Sequence, residues 1–156
     1  MKKIFVVLAV LVMPILVMGQ ETTPATIFLK EGGTIKVHHF GQKDCNGSVF
    51  YGSYIMVRGK YAGDLTEIKD YKKIQRIELI NYNADPVASV GNEKGTIMVY
   101  KTNGVSVQLD EAQLVLSCYG VGEKYNQLKV QMINPISEKA FEKTVDVKDI
   151  KSIVFN

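Results

Sequence analysis

Apolar and polar residues alternate along much of this chain from residue 25 onward, and this period of two constrains the fold more than any other feature. In residues 34–40, Ile35, Val37 and His39 fall on one face of an extended strand. The best helix candidate, residues 138–143, is long enough for only a turn or two. The pattern therefore predicts an all-β fold. The clearest predicted strands are residues 26–30, 34–40, 54–58 and 74–79.

The first 19 residues have the pattern of a signal peptide. Two lysines follow the initial methionine, and residues 4–18 carry no charge. This apolar run is shorter than the roughly 20 residues that a membrane-spanning helix needs. Val17 and Gly19 are small enough for a signal-peptidase site, which predicts cleavage before Gln20. We therefore expect an exported protein, periplasmic, on the outer surface or secreted, without a membrane span once cleaved. An uncleaved membrane anchor is the alternative.

Composition and charge exclude several classes of protein. The chain has 156 residues, of which 46% are hydrophobic and 22% charged, a balance that excludes a wholly disordered protein. The formal net charge is only +3, and the predicted cleavage removes two of the lysines that contribute to it. So small a charge provides no electrostatic footprint for nucleic acid or for an anionic membrane surface. We expect no nucleic-acid partner.

A comparison of the chain with itself predicts an internal duplication. Residues 26–29 (Thr-Ile-Phe-Leu) match residues 96–99 (Thr-Ile-Met-Val), and residues 35–37 match residues 105–107 at the same shift of 70 positions. Later matches keep this order at shifts of 73 and 76 positions, as small loop insertions would produce. They pair residues 55–58 with 128–131 and residues 71–79 with 147–155. The repeat predicts a first unit at residues 20–80, a connection at 81–94 and a second unit at 95–156.

Each predicted unit opens with a hairpin and closes with a short polar turn and a strand. The closing residues 147–155 (Val-Lys-Asp-Ile-Lys-Ser-Ile-Val-Phe) resemble the 3₁₀ turn and last strand of SH3-like and Sm-like barrels. The opening Thr-Ile-x-Leu/Val-x-x-Gly hairpin is similar to their first two strands. The resemblance implies two small SH3-like barrels in tandem. We expect them to pack together, because a unit of about 60 residues buries only about 60% of its unfolded surface.

The same resemblance does not extend to a ligand, and it leaves a second architecture open. The groove aromatics of peptide-binding SH3 domains, an Ala-x-x-Tyr-x-Tyr pattern and a paired Trp, are missing from the sequence. Recognition of proline-rich ligands is therefore not implied. The alternative architecture is one barrel or sandwich of eight to ten strands.

The two cysteines, Cys45 and Cys118, are 73 positions apart, which is the middle shift of the repeat. An even number of cysteines in an exported protein favours a disulfide. Cys118 is in phase with preceding apolar residues, as a core residue would be, whereas Cys45 lies in the polar turn at residues 43–47. A Cys45–Cys118 disulfide is the expectation, and two unpaired thiols are the alternative.

The sequence contains no recognisable catalytic or metal-binding arrangement. His38 and His39 are adjacent, so on a strand they point to opposite faces and cannot bind one metal together. We expect one of them to be packed and the other exposed. Cys45 and His38 do not lie in a cysteine-peptidase signature, and the serines lack a Gly-x-Ser-x-Gly setting. We therefore expect no enzymatic activity, no cofactor and no metal.

Tyrosines among glycines are the one feature of the sequence that points to a binding surface. Such amphipathic rings at the loop end of a small barrel can contact a ligand or a partner protein. Three of them surround Arg58, and two more occupy the matching region of the second unit. The candidate binding residues are Tyr51, Tyr54, Arg58, Tyr61, Tyr119 and Tyr125. Their alternative role is to cover cores and strand edges, since sheet proteins are generally rich in tyrosine.

These observations predict a non-catalytic binding or assembly module of the bacterial cell envelope, exported through its signal peptide. Its expected partner is an envelope protein or a cell-wall component, bound by the tyrosine-rich surface or at an exposed strand edge. Two alternatives remain open from the sequence. One is an enzyme or enzyme inhibitor that acts on secreted or cell-wall substrates, and the other is a single β-barrel that carries a ligand.

Overall fold

The computed structural model of the chain describes residues 25–43, 49–52, 55–68, 71–83, 94–115 and 127–156. These residues form strands and two single-turn 3₁₀ helices, with no α-helix among them, so the predicted all-β class is confirmed. No helix within these ranges is long and apolar enough to cross a membrane. The predicted signal peptide, residues 1–19, lies outside the described residues.

The structure contains twelve strands in the ranges it describes. They are β1 (Ala25–Leu29), β2 (Thr34–Val37), β3 (His39–Lys43), β4 (Val49–Gly52), β5 (Met56–Tyr61), β6 (Asp64–Ile68), β7 (Ile74–Asn83), β8 (Lys94–Lys101), β9 (Ser106–Val115), β10 (Gln127–Ile133), β11 (Ala140–Asp146) and β12 (Ile150–Phe155). The 3₁₀ helices η1 (Tyr71–Lys73) and η2 (Val147–Asp149) directly precede β7 and β12.

The strands form two sheets, and the chain passes between them four times, after β2, β4, β9 and β11. The first sheet has the order β2-β1-β12-β7-β8-β9-β5-β6, and the second has the order β11-β10-β3-β4. The chain passes from the first sheet to the second at His38, whose backbone N–H donates to the carbonyl oxygen of Gln131 at 2.8 Å. Beyond this point Phe40 of β3 lies opposite Val130 of β10. Among the described strands neither sheet closes on itself, so β6 and β11 each have a single neighbour.

The alternating apolar residues of both sheets pack into one hydrophobic core. Ile27 of β1, Ile97 of β8 and Leu128 of β10 are fully buried, and all three belong to the same cluster of contacting side chains. Burial alternates along β2 as the sequence predicts, because Ile35 and Val37 are buried while their polar neighbours are exposed. The hydrophobic effect of this shared core therefore holds the two sheets together.

The same order of strand pairing occurs twice in the molecule. The contiguous set, β5 to β9, has the order β7-β8-β9-β5-β6. The split set combines β1–β3 with β10–β12. Its order, β12-β1-β2/β3-β10-β11, matches if β2 and β3 are counted as one strand that pairs with β1 before His38 and with β10 after it. The two sets meet at the antiparallel pair β7–β12, where Ile77 lies opposite Ile153 and both are fully buried.

The opening hairpins of the two sets also make matching hydrogen bonds. The N–H of Leu29 donates to the carbonyl of Gly33 at 3.2 Å, and the N–H of Lys101 donates to that of Val105 at 2.8 Å. The donors and the acceptors of these two bonds are both 72 positions apart, rather than the 70 that residue matching predicted. Gly32 and Gly104 are also 72 apart, and both have positive φ, 94° and 82°, which glycine adopts without strain.

Strand pairing joins the two predicted units, residues 20–80 and 95–156, rather than keeping them apart. In each set the opening hairpin comes from one unit, and the three strands that complete the set come from the other. The pairs that cross between the two ranges are β1–β12, β3–β10, β5–β9, β7–β8 and β7–β12. The duplication and its boundaries stay predictions, and the opening hairpins are exchanged between the two ranges.

The best helix candidate, residues 138–143, does not form a helix, because residues 140–143 belong to strand β11. Ala140 lies opposite Ile133, and Phe141 lies opposite Met132 of β10. The turn before β11 is held by Asn134, whose side-chain oxygen accepts hydrogen bonds from the N–H groups of Ile136 and Ser137. This turn directs the chain back along β10, and strand pairing overrides the weak local helix preference.

Candidate functional site

An open groove of about 480 Å³ lies between the β5–β6 hairpin and the ends of β7, β8 and β9. It lies between the outer edge of β6, which pairs with no other strand that the structure describes, and the start of β7. Residues from six elements line it, so the groove depends on the tertiary fold. They are Tyr61, Thr66, Glu67 and Ile68 from the hairpin, and Lys73, Ile74, Lys101 and Val107 from η1, β7, β8 and β9.

A tight two-residue turn positions the hairpin wall of the groove. Tyr61 lies opposite Asp64, and the two residues between them, Ala62 and Gly63, have φ of 52° and 93°. Positive φ at both central positions is typical of a type I′ turn, whose twist matches that of the flanking strands. Tyr61 is 55% exposed, so its ring is accessible at the mouth of the groove.

The opposite wall carries two lysines on an apolar floor. Lys73 ends η1 and Lys101 ends β8, and a 3.0 Å hydrogen bond from the N–H of Thr102 to the carbonyl of Lys73 holds these two segments together. Ile74 is only 2% exposed, and Val107 packs against the same core. The groove therefore combines apolar side chains at its base with two ammonium groups on one wall.

The corresponding region of the split set is more deeply packed. Leu29 corresponds to Lys101, because the backbone N–H of each donates the matching hydrogen bond at the turn of its hairpin. The Leu29 side chain packs against the core. Ile35, paired with β1 as Val107 is with β8, is only 3% exposed, whereas Val107 is half-buried. Val145 of β11 is 5% exposed, whereas Ile68 of β6 is half-buried. The groove is thus a feature in which the two sets differ.

Two charged pairs join the hairpin strands to each other and to β9, and one of them includes Glu67 of the groove lining. The Arg58 Nε atom lies 3.8 Å from the Glu67 Oε1 atom, and these residues are directly opposite each other on β5 and β6. The Lys60 Nζ atom lies 2.9 Å from the Glu111 Oε2 atom of β9. Both pairs are partly or largely exposed, so each stabilises the fold by at most about 1 kcal/mol.

The structure separates two of the residues that the sequence grouped into one binding surface. Tyr61 lines the groove, whereas Arg58, three residues earlier on β5, does not. An odd spacing on a strand places side chains on opposite faces. Tyr51 lies on β4, and nothing is described of its side chain. The other predicted site residues, Tyr54, Tyr119, Tyr125, Cys45 and Cys118, lie outside the described residues.

The sequence predicts that one of the two adjacent histidines is packed, and the packed one is His39. His39 is 4% exposed, and its Nδ1 atom has no hydrogen-bond partner, while His38 is half-buried. Their ring centroids lie 4.4 Å apart. Burial, and to a smaller extent the charge of His38, lowers the pKa of His39 below its ordinary value. No group of three or more potential metal ligands occurs among the residues that the structure describes.

Sequence reasoning missed most of the residues that form the groove. Lys73 and Lys101 are separated by 27 intervening positions, and neither lies in a motif. The turn Ala62-Gly63 between alternating segments was a usable signal for the β5–β6 hairpin. No local signal indicates that this hairpin leaves an open space against β7, because that depends on long-range pairing.

Comparison with known proteins adds no relative, since neither a family model, nor a curated protein, nor a solved structure matches this chain.

Proposed function

We propose that this protein is a non-catalytic, exported binding module of the cell envelope that holds an extended segment of a partner in the groove beside β6. The observation that carries the proposal is the difference between the two sets. In the split set Ile35 and Val145 are buried, whereas in the contiguous set Val107 and Ile68 are half-buried and line an open groove with a tyrosine at its mouth. An open groove with an apolar base suits a ligand.

The chemistry of the groove supports a peptide-like occupant. Tyr61 offers a ring with a polar hydroxyl group, and Ile74 and Val107 offer an apolar floor. The adjacent β6 has one strand neighbour within the described chain, so its other edge can accept an added strand. Edge addition provides backbone hydrogen bonds, and the groove provides contacts to alternate side chains.

We also propose an architecture of two SH3-like units and a location outside the cytoplasm. Each set corresponds to an SH3-like unit, with a hairpin, a second hairpin, a 3₁₀ turn and a closing strand, and the opening hairpins are exchanged between duplicated halves. The basic start, the uncharged run at residues 4–18 and the small residues Val17 and Gly19 support export. The proposed partner is an envelope protein or a cell-wall component.

A photo-crosslinking experiment in the native cells tests this proposal. Tyr61 is replaced by the photoreactive residue p-benzoylphenylalanine in the full-length protein, and the cells are irradiated. We expect a discrete crosslinked product, because the ring at this position lies at the mouth of the groove and is 55% exposed. Mass spectrometry of the product identifies the partner and the segment that is attached.

The control places the photoreactive residue in the turn of the β10–β11 hairpin. Ile136, in the turn before β11, is 92% exposed and lies outside the groove lining, so the same replacement there reports non-specific contacts. Crosslinking at Tyr61 but not at Ile136 supports the groove as the binding site. The same products at both positions, or none at Tyr61, would contradict the proposal.

A further inference from the structure

We infer that the outer edge of β11 is a second docking site, which accepts an acidic extended segment of a partner polypeptide as an added antiparallel strand. The site is separate from the groove, whose described lining contains no residue of β11. The inference therefore goes beyond the proposed function and does not depend on it. Three features support it: the direction of the backbone groups of β11, the side chains on either side of its lysine, and the like charges that self-pairing would bring together.

β11 is the last strand of its sheet, and it pairs only with β10 among the strands that the structure describes. The hairpin closes on Asn134 and Lys139, because the N–H of Asn134 donates to the carbonyl of Lys139 at 3.0 Å. Hydrogen-bonded and non-bonded pairs alternate along the strands from this closing pair. Every second residue of β11 therefore directs its backbone N–H and C=O groups away from β10.

The residues that direct these groups outward are Ala140, Glu142 and Thr144. All three are exposed, and their backbone groups make no hydrogen bond with any residue that the structure describes. The groups of Lys143 and Val145, by contrast, point toward β10. An added antiparallel strand can therefore form hydrogen bonds with β11 without breaking any bond of the fold.

The side chains of β11 favour an acidic residue between apolar residues on the added strand. Phe141, Lys143 and Val145 lie on one face of β11, since side chains two residues apart point the same way. Lys143 is exposed and forms no ion pair with any residue that the structure describes. The ring of Phe141 is 43% exposed, so it gains burial when a strand covers it. A segment of the form apolar-x-acidic-x-apolar places its carboxylate opposite the ammonium group and an apolar side chain opposite the ring.

Charge makes a second copy of β11 an unfavourable occupant of this edge. In an antiparallel pair, outward-directed residues lie opposite one another, so two copies of β11 can change register only in steps of two residues. The full-length alignment places Lys143 opposite the second copy's Lys143. A shift by one step places Glu142 opposite the second copy's Glu142 in one direction and opposite its Asp146 in the other. Like charges at directly opposite positions destabilise a strand pair, so the edge selects a different, acidic strand.

Peptide titration and amide hydrogen exchange, both followed by NMR, test the inference on the protein without its predicted signal peptide. The probe is the peptide Thr-Val-Thr-Glu-Thr-Val-Thr, and in two matched peptides Gln or Lys replaces Glu. In the free protein we expect the amides of Glu142 and Thr144 to exchange rapidly and those of Lys143 and Val145 slowly. The Glu peptide should slow exchange at Glu142 and Thr144, and the Lys peptide should not.

N-methylated peptides separate strand addition from a contact between charges. Methylation of the backbone nitrogens of the two threonines beside the glutamate removes the N–H groups that face Glu142 and Thr144. This peptide should not bind detectably. Methylation at the two valines, whose N–H groups point away from β11, should leave the affinity within about twofold of the unmethylated peptide. Because only the peptide changes, the folding of the protein does not affect this comparison.

Lysine variants locate the charge contact on β11. We expect Lys143→Gln to bind the Glu peptide about fivefold more weakly, since an exposed ion pair is lost. Lys143→Glu should reverse the preference, so that the Lys peptide binds more tightly than the Glu peptide. Lys129→Gln is the matched control, because Lys129 of β10 lies opposite Thr144 and therefore on the other face of the hairpin. Thermal unfolding of each variant verifies that the fold is intact.

Other outcomes overturn the inference in distinguishable ways. Equal binding of the Glu, Gln and Lys peptides, or equal effects of Lys143→Gln and Lys129→Gln, rules out selection of an acidic strand. Binding that survives methylation beside the glutamate, or that leaves exchange at Glu142 and Thr144 unchanged, rules out strand addition. Slow exchange at these two amides in the free protein means that the edge is already covered, and sedimentation then distinguishes a second copy from the chain itself. The crosslinking at Tyr61 tests the groove, so its result is independent of all of these.

Discussion

At the scale of single residues, His39 is the described residue with a buried side-chain polar atom that lacks a hydrogen-bond partner. It is 4% exposed, and its Nδ1 atom lacks a hydrogen-bond partner. It lies where the chain leaves the first sheet for the second, next to His38, whose ring centroid is 4.4 Å away. A positive charge on His39 is unfavourable, first because burial removes water from its ring and then because His38 is close.

This environment predicts a loss of stability in mild acid. The pKa of His39 is lowered in the folded state, whereas an unfolded histidine has a pKa of about 6.5. Between the two pKa values the unfolded state binds more protons than the folded state. The free energy of unfolding therefore has its full value above about pH 6.5 and decreases as the pH is lowered from there. Urea unfolding at pH 7.5 and at pH 5.0 measures the difference.

Two variants assign this pH dependence to one residue. His39→Gln should reduce the difference between the two pH values, because the titrating group is gone. His38→Gln should retain most of it, because burial is the larger cause of the lowered pKa. A pH dependence that is unchanged in His39→Gln would show that other groups cause it.

At the scale of elements, the β5–β6 hairpin shows how a local sequence forms one wall of the groove. Its turn has Ala62 at φ 52°, a left-handed conformation that is costly for alanine, followed by Gly63, for which it is not. On the neighbouring side of β5, Gly59 allows a close approach to β9, since a Cβ there would lie 2.8 Å from the Cβ of Ala112. The hairpin is therefore held against β9 through Gly59 and is left open toward β7.

The turn predicts a substitution that stabilises the protein. Ala62→Asn should increase the free energy of unfolding by about 0.5–1 kcal/mol, because asparagine tolerates the left-handed conformation and Asn-Gly is favoured in type I′ turns. Ala62→Val should decrease it by at least as much. Chemical denaturation of the three proteins provides the values. A loss of stability in Ala62→Asn would contradict the turn assignment, and peptide binding in the groove should be unchanged in this variant.

At the scale of the whole molecule, the exchange of hairpins makes the two sequence halves depend on each other. The central pair β7–β12 joins them through Ile77 and Ile153, and the pairs on either side cross between the halves as well. On the outer surface beside this centre, the guanidinium of Arg76 lies 3.9 Å from the centroid of the Tyr100 ring. The Tyr100 hydroxyl donates to Glu78 at 3.0 Å, which adds a further link between β7 and β8.

This dependence predicts complementation between fragments. Residues 20–83 and residues 94–156, produced separately, should each be largely unfolded, because every set lacks strands that only the other fragment supplies. When mixed, they should form a one-to-one complex with the circular dichroism of the intact protein. Gel filtration and circular dichroism of the separate and mixed fragments test this. Independent folding of both fragments would mean that the hairpins are not exchanged in solution.

The sequence predicted the strands better than their partners. Alternation located β1, β2, β7 and the start of β5, and turn residues located the first hairpin, because both signals act over a few residues. The strand β11 was missed, since Ala140-Phe141-Glu142-Lys143 has no clear alternation and pairs only by virtue of β10. Of the candidate site, Tyr61 was predicted and the two lysines were not, because they converge only in the folded chain.

The amino-acid sequence by itself determined the all-β class, because the alternation of side chains between the two faces of a strand is visible in consecutive residues. Tertiary structure decided which strands became neighbours, since an alternating strand fits many apolar partners and the shared core selects among them. The same selection packed Leu29 and Ile35 into one set and left the groove between Tyr61 and Lys101 open in the other. The difference arises from long-range packing, which no local pattern records.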